Sequence, residues 1–326
     1  MMLIIAFGYH GRHINHLCWK VIASGTRWQQ IDMAHENEAP ISSPGKVLFP
    51  EDGITKADLA DYYRRIAPYL LPFLQDRPLT LRHFPRGIEQ EGFYHKHAAD
   101  YYPDFLERLR VPMRSKGGEE MEMIMADEVA DLVYLAGQNV IELHIGLSQA
   151  AALDKPDQLI FDLDPADNDF AKVRQTALAL KELLDEHQLA SFVKTTGSRG
   201  LHIHVPVRTE RPFAEAKKVA RRIAEQLHDQ HPELTTLEHR KEKRGDKVFI
   251  DYLRNDYGMT AIAPYALRAR RHAPVATPIE WSELEKSDLG AQSYHLGNIF
   301  RRLGQKDPLP WHDFAAHRVS WEQLPD

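Results

Sequence analysis

Residues Gln158–Pro165 read Q-L-I-F-D-L-D-P, an apolar run with two carboxylates at alternate positions near its end. Leu159, Ile160, Phe161 and Leu163 fit a short buried strand, and Pro165, which cannot donate to a sheet ladder, marks where the chain leaves it. Side chains in a strand repeat with a period of two, so Asp162 and Asp164 face the same way. Neighbouring carboxylates repel, which raises the proton affinity of one of them unless positive charge is supplied. The pair therefore suits the edge of a divalent-cation site. Taken alone, a motif this short fits a solvated strand end or an N-cap for the next helix equally well.

A buried strand needs a core around it, and 326 residues with 43% hydrophobic content can build one large domain or two modest ones. Lys and Arg number 41 against 47 Asp and Glu, a formal charge of −6. That balance excludes a protein that coats nucleic acid through bulk positive charge, so a nucleic-acid partner requires a local basic patch. Cys18 is the single cysteine, which excludes an intramolecular disulfide framework and a cysteine-based zinc ribbon and fits a reducing, cytoplasmic setting. Met1–Phe7 is apolar, but Gly8, His10, Arg12 and His13 interrupt it too early for a signal h-region or a membrane span. His10, His13 and His16 recur at three-residue spacing and could hold a metal on a helical face. A poorly ordered N-terminal extension over 1–39, ahead of a catalytic domain at 40–326, is the preferred reading.

Other stretches offer places for anions and bases. S-S-P-G-K-V-L-F-P-E-D-G-I-T-K at 42–56 contains a short strand at Val47–Phe49 and ends at a helix start, with Thr55 as N-cap and Asp58 three residues on. Lys46 and Lys56 are thereby expected on loops flanking structure, where a phosphate can be met. The helix from Lys56 to about Tyr69 presents Leu59, Tyr62, Tyr63, Ile66 and Leu70 as a core-facing stripe. A strand at Leu79–Phe84 carries Arg82 and His83. After a turn, Phe93 and Tyr94 stand beside His95, Lys96 and His97, as a stacked base and its phosphate would require, although adjacent aromatics also serve as core and rim. His144 in a strand at Ile141–Ile145 reads by itself as a satisfied structural histidine.

Ser191–Val207, S-F-V-K-T-T-G-S-R-G-L-H-I-H-V-P-V, runs strand, turn, strand. Gly197 and Gly200 permit positive φ and exposed amides, and Ser198 and Arg199 add a hydroxyl and a fixed charge, the ingredients of a phosphate cradle. His202 and His204 share one face of the second strand. In K-V-F-I-D-Y-L-R-N at 247–255 the acid Asp251 interrupts an apolar strand, where an unpaired carboxylate costs several kcal/mol. Arg254 follows it. Basic residues at 239–247, and Arg268, Arg270 and Arg271 at 265–272, bracket this strand and supply the local patch. Helical spacing recurs at 169–187, and the apolar residues beyond Pro274 suggest short helices closing the core.

F-D-L-D-P, T-G-S-R-G-L-H and V-F-I-D-Y, in this order, resemble the three motifs of the archaeo-eukaryotic primase superfamily, specifically the polymerase domain of bacterial ATP-dependent DNA ligase D. S-P-G-K-V-L-F-P, G-F-Y-H-K and I-A-P-Y-A-L-R-A-R extend the resemblance from about Ile41 to Leu303. The resemblance implies a mixed α/β (α+β) primase-type fold, central sheets flanked by helices, with three acids converging in a cleft. It implies that Asp162, Asp164 and Asp251 are the catalytic, metal-binding carboxylates for two divalent ions, Mn2+ preferred or Mg2+. It places His144, Ser198, Arg199, His202, Arg254 and Arg268 on the incoming nucleotide. Lys46, Lys56, Arg82, His83, Phe93 and Tyr94 fall on the DNA, the two lysines at a 5′-phosphate.

The implied activity is template-dependent nucleotidyl transfer that extends or fills DNA ends and gaps with NTPs or dNTPs in non-homologous end joining. Ku and a DNA ligase are the implied protein partners, and a bacterial, nucleoid-associated cytoplasmic setting follows. Arg199 stands where many relatives carry lysine, and the aromatic pair is Phe-Tyr where Phe-Phe is usual. No ligase or phosphoesterase region is present, as expected of a stand-alone relative or an excised domain. A metal-dependent nuclease using the same acids and a non-catalytic module that binds 5′-phosphorylated ends are the rival readings.

Overall fold

The computed structural model describes residues 40–114, 117, 119–167, 169–286 and 288–325. Residues 40–326 form one compact unit. The histidine triplet and the expected extension at 1–39 lie outside the described residues.

The first element among the described residues is β1 (Val47–Phe49), paired antiparallel to β2 (Ile54–Thr55), which feeds helix α1 (Lys56–Leu74). Thr55 accepts from the Asp58 amide and the Asp58 carboxylate accepts from the Thr55 amide, closing the expected capping box. The helix passes its expected end near Tyr69 and contains Pro68 and Pro72, while Leu59, Tyr62, Tyr63, Ile66 and Leu70 are buried as the stripe requires. Strands β3 (Leu79–His83) and β4 (Phe93–His95) come next. The ribbon of β5 (Arg108–Pro112) and β6 (Glu120–Ile124), helix α2 (Val129–Gly137) and β7 (Val140–Gly146) follow.

The second half supplies β8 (Gln158–Pro165), α3 (Phe170–Glu186), β9 (Phe192–Thr195), β10 (Leu201–Pro206) and α4 (Phe213–Gln230). It ends with β11 (Thr235–Thr236), β12 (Val248–Asp251), β13 (Thr260–Ile262), β14 (Pro278–Ile279) and the short α5 (Ile299–Leu303). A four-stranded sheet has the order β13-β7-β3-β4 and a six-stranded sheet the order β11-β12-β8-β10-β9-β14. Each sheet has its own apolar core. Tyr62, Ile66, Leu132 and Leu135 of α1 and α2 join Leu79, Leu81 and Leu143 beside the first.

On the larger sheet, alternation separates the two faces. Leu159, Phe161, Leu163, Leu201, Ile203, Val248 and Ile250 pack against Val173, Leu180 and Leu184 of α3 and Ala216, Ala220 and Ile223 of α4. The residues between them in the strands, Asp162, Asp164, His202, His204 and Asp251, take the other face. The buried Asn255 clamps the turn after β12 to β8: its Oδ1 accepts from the Ile160 amide at 2.8 Å, and its Nδ2 donates to Ile160 O at 2.7 Å and Tyr252 O at 2.8 Å. No described helix is long and apolar enough to cross a membrane.

Candidate active site

Strand register builds the site. Asp251 of β12 lies opposite Asp162 of β8, Asp162 opposite His202 of β10, and His202 opposite Lys194 of β9. Directly opposed residues project to the same face, so one polar row crosses four strands. Asp164 stands one pleat further along β8, opposite Phe249.

Positive charge surrounds the acids. Asp162 lies 3.4 Å from His202 Nε2 and 3.3 Å from Arg254 Nη2, while Arg254 Nε lies 3.3 Å from Asp251. Strand β12 ends sooner than expected, at Asp251. The chain then turns through a 3-10 segment at Leu253–Asn255, with Asp251 Oδ1 accepting from the Leu253 amide; the turn returns Arg254 to the acids. Burial opposes ionisation of Asp162, but His202, Arg254 and Lys194 outweigh it and hold its carboxyl well below the usual range. Asp251 is pushed up by burial and by the charge of Asp162, against the pull of Arg254. Asp164 is also pushed up by burial and Asp162, although Arg199 Nη2 reaches both of its oxygens at 3.0 Å and Arg244 stands 3.8 Å away.

Among the described residues no group of three His, Cys, Asp or Glu side chains is arranged to hold a metal ion. The expected convergence of three acids therefore holds for the strands and not for all three side chains: Asp162 and Asp251 share Arg254, whereas Asp164 turns to Arg199. Mutual repulsion favours this division, because each carboxylate gains a guanidinium by separating.

The turn after β9 is held by its own threonine. Thr196 Oγ1 accepts from the Ser198 and Gly200 amides and donates to Gly200 O at 3.0 Å. Gly197 has the expected positive φ of 63°, but Gly200 is required for a different reason. A Cβ there would meet Leu163 O at 1.9 Å, so β8 and β10 can close only around a glycine.

A second polar centre, missed in the sequence, joins the nucleotide candidates to the DNA candidates. Glu142 of β7, 1% exposed, lies 3.1 Å from His144 Nε2 and accepts from Arg268 Nε and the Ala269 amide at 3.1 Å and from Arg82 at 3.4 Å. Burial raises its pKa, but the bond from His144 and the charge of Arg268 prevail and lower it to about 2. The acid between Ile141 and Leu143 carried the same signal that singled out Asp251. His144 meets the Tyr94 ring edge-on at 5.5 Å, and the Arg82 guanidinium lies 5.1 Å from that ring's centre.

Phe93 and Tyr94 are exposed by 51% and 56%, as a stacking platform requires. His83 is corrected: it is 3% exposed, stacks on Phe93 at 5.1 Å, and both ring nitrogens are engaged, with Gln138 O and the Tyr102 hydroxyl. It supports the platform from behind. Lys56 is also corrected, since it opens α1 rather than a loop and is 3% exposed, its Nζ donating to Ser42 O at 2.8 Å and Gly137 O at 2.9 Å. Lys46 is partly exposed and donates to Pro85 O.

The lysines should therefore separate. Lys56→Ala, which strands two carbonyls, is expected to cost about 1–3 kcal/mol in urea unfolding. Lys46→Ala should leave stability unchanged and weaken binding to 5′-phosphorylated gaps in preference to unphosphorylated ones, read by fluorescence anisotropy. Equal losses on both DNAs would assign Lys46 a general backbone role.

Comparison with known proteins then decides the family. A family model for the LigD primase-polymerase domain matches residues 55–311. This chain belongs to that family. It is 34% identical over 293 residues to the multifunctional non-homologous end joining DNA repair protein LigD of Mycobacterium tuberculosis, covering 85% of this chain and 38% of that protein. It is 31% identical over 275 residues to the bifunctional non-homologous end joining protein LigD of Bacillus subtilis, covering 84% of this chain and 43% of that one. The chain thus spans about two-fifths of the length of these relatives. The solved polymerase domain of M. tuberculosis ligase D in complex with DNA superposes with a TM-score of 0.79 at 30% identity, covering 87% of this chain and all of that domain. The expected mixed α/β primase-type fold is therefore the observed one.

Proposed function

We propose that this chain is a template-dependent nucleotidyltransferase that extends or fills DNA ends and gaps as the polymerase component of non-homologous end joining. The row Asp251–Asp162–His202, with the Ser198–Arg199 turn at the end of the next strand, is the observation that carries the reading. It combines two facing carboxylates, oxygen donors suited to a cation, with a cradle for phosphate.

The donor set fits hard divalent cations. All three acids offer carboxylate oxygen, and burial together with Asp162 pushes up both Asp164 and Asp251, as expected of ligands lacking enough positive charge. Two such ions, Mn2+ or Mg2+, would supply the charge that aligns the attacking 3′-hydroxyl and the departing pyrophosphate. The chain's own groups position the substrates. Ser198, Arg199, His202, Arg254 and Arg268 hold the triphosphate, His144 lies by the sugar, and Phe93 and Tyr94 stack on template bases. Arg82 steadies Tyr94, and Lys46 takes the 5′-phosphate. A Ku-type end-binding protein and a DNA ligase complete the reaction sequence.

A primed template with triphosphates and Mn2+ or Mg2+ tests the reading, with template-directed extension expected. Degradation without extension would favour a nuclease. Tight binding of a 5′-phosphorylated gap with neither activity would favour an end-binding module.

A further inference from the structure

Lys194 on β9 has been given no substrate contact so far, and its position is unusual. It is 0% exposed, and among the described residues its Nζ has no hydrogen-bond partner. A buried ammonium without a partner is costly, so proteins pair it, leave it out or hold it for a ligand. Its charge helps hold Asp162 ionised, but Nζ makes no hydrogen bond to that acid, which is already engaged by His202 and Arg254. Burial and the positive charge of Arg268 act against the ammonium and outweigh the attraction of Asp162, lowering its pKa to about 7.

Its surroundings indicate which ligand would relieve this. Lys194 lies directly opposite His202 and shares the face that carries Asp162 and Asp251. It precedes by two residues the Thr196–Gly200 turn that presents Ser198 and Arg199. Beside it, the buried His202 Nδ1 also lacks a partner. A buried ammonium with no hydrogen-bond acceptor, next to a phosphate-cradling turn and a second cation at Arg268, calls for an anion with several oxygens.

We infer that Lys194 is a further phosphate-binding residue of this site, holding an oxygen of the incoming triphosphate beside His202; the inference rests on the polymerase reading for the identity of the substrate. Ligand binding has to lift the side chains that seal Nζ, and the flexible four-carbon stem of lysine gives the reach to follow. A residue kept only for packing would be better apolar, since exchanging an unpaired buried charge for a hydrophobic side chain of similar length is neutral or stabilising.

The test compares the wild-type chain with Lys194→Met, using inorganic triphosphate as the probe in titration calorimetry. Affinity is expected to fall by about 10- to 100-fold, the weight of one charge-assisted hydrogen bond. The urea midpoint should hold or rise, DNA affinity should be unchanged, and in primer extension the nucleotide KM should rise more than kcat falls. Unchanged triphosphate affinity would overturn the inference, as would a lowered urea midpoint with a parallel loss of DNA binding. Lys194→Gln is measured in the same way if the Met variant does not fold, and failure of both to fold marks Lys194 as structural and overturns it as well. A wild-type chain that binds triphosphate through Lys194 but never extends a primer would sink the polymerase reading alone. Extension by the wild type with an unaltered KM in the variants would sink the role of Lys194 alone.

Discussion

Asp251→Ala is expected to reduce primer extension by at least about a thousandfold, or ~4 kcal/mol of transition-state stabilisation, while DNA affinity stays within about twofold. The asymmetry follows from where the side chain stands. Asp251 lies on the polar face beside Asp162, and its recorded contacts are to Arg254 and the Leu253 amide, not to the aromatic platform at Phe93 and Tyr94. Arg254 keeps a partner in Asp162 when Asp251 is lost. The variant removes a carboxylate that burial and Asp162 both disfavour and also strands the Leu253 amide, so the two effects oppose and the net change in stability should be small. Single-turnover extension in Mn2+ with anisotropy on the same DNA checks both halves. Retention of more than a tenth of wild-type rate would remove Asp251 from the metal set.

Gly200→Ala is expected to lose about 3–5 kcal/mol, or to prevent folding, because the added methyl has nowhere to go. Its Cβ would lie 1.9 Å from Leu163 O and 3.0 Å from the carbon of that carbonyl, and both belong to strand backbone. Relief requires β10 to part from β8 at the Leu201–Leu163 pair, next to the Asp162–His202 pair. Gly245→Ala is the control, since Gly245 has a φ of 60° but nothing within 4 Å of a built Cβ. It should cost only the left-handed penalty of about 1–2 kcal/mol. Urea unfolding of the two variants side by side separates collision from backbone strain, and similar losses would mean that β8 and β10 do not approach as described.

Local signals carried much of the architecture. The Thr55–Asp58 capping box, the strand at Gln158–Pro165 and the helix between Asp169 and His187 are where short-range chemistry places them. Helix α4 escaped the reading because alanines at 216, 220 and 224 make up much of its buried face, and alanine hardly contrasts with the charged residues between. The site was legible as three acids and a glycine turn, but its register was not. Which residues lie opposite one another across β12, β8, β10 and β9 depends on contacts between segments distant in the chain. The same holds for Lys56 and His83, whose types suggest solvent and ligands. Their burial arises from the Gly137 and Gln138 carbonyls, far along the chain.

The Glu142 centre ties together residues proposed for two different substrates. One carboxylate bonds Arg82, which leans on the exposed Tyr94 ring, and also meets His144 and Arg268. Tyr94 and His144 are in edge contact as well, so the exposed aromatic pair and the buried histidine are joined by two routes. Under the proposed polymerase reading, a template base that tilts Tyr94 would strain either a ring contact or an ion pair anchored in the same buried acid. Alignment of the template and seating of the nucleotide would then be a single mechanical adjustment.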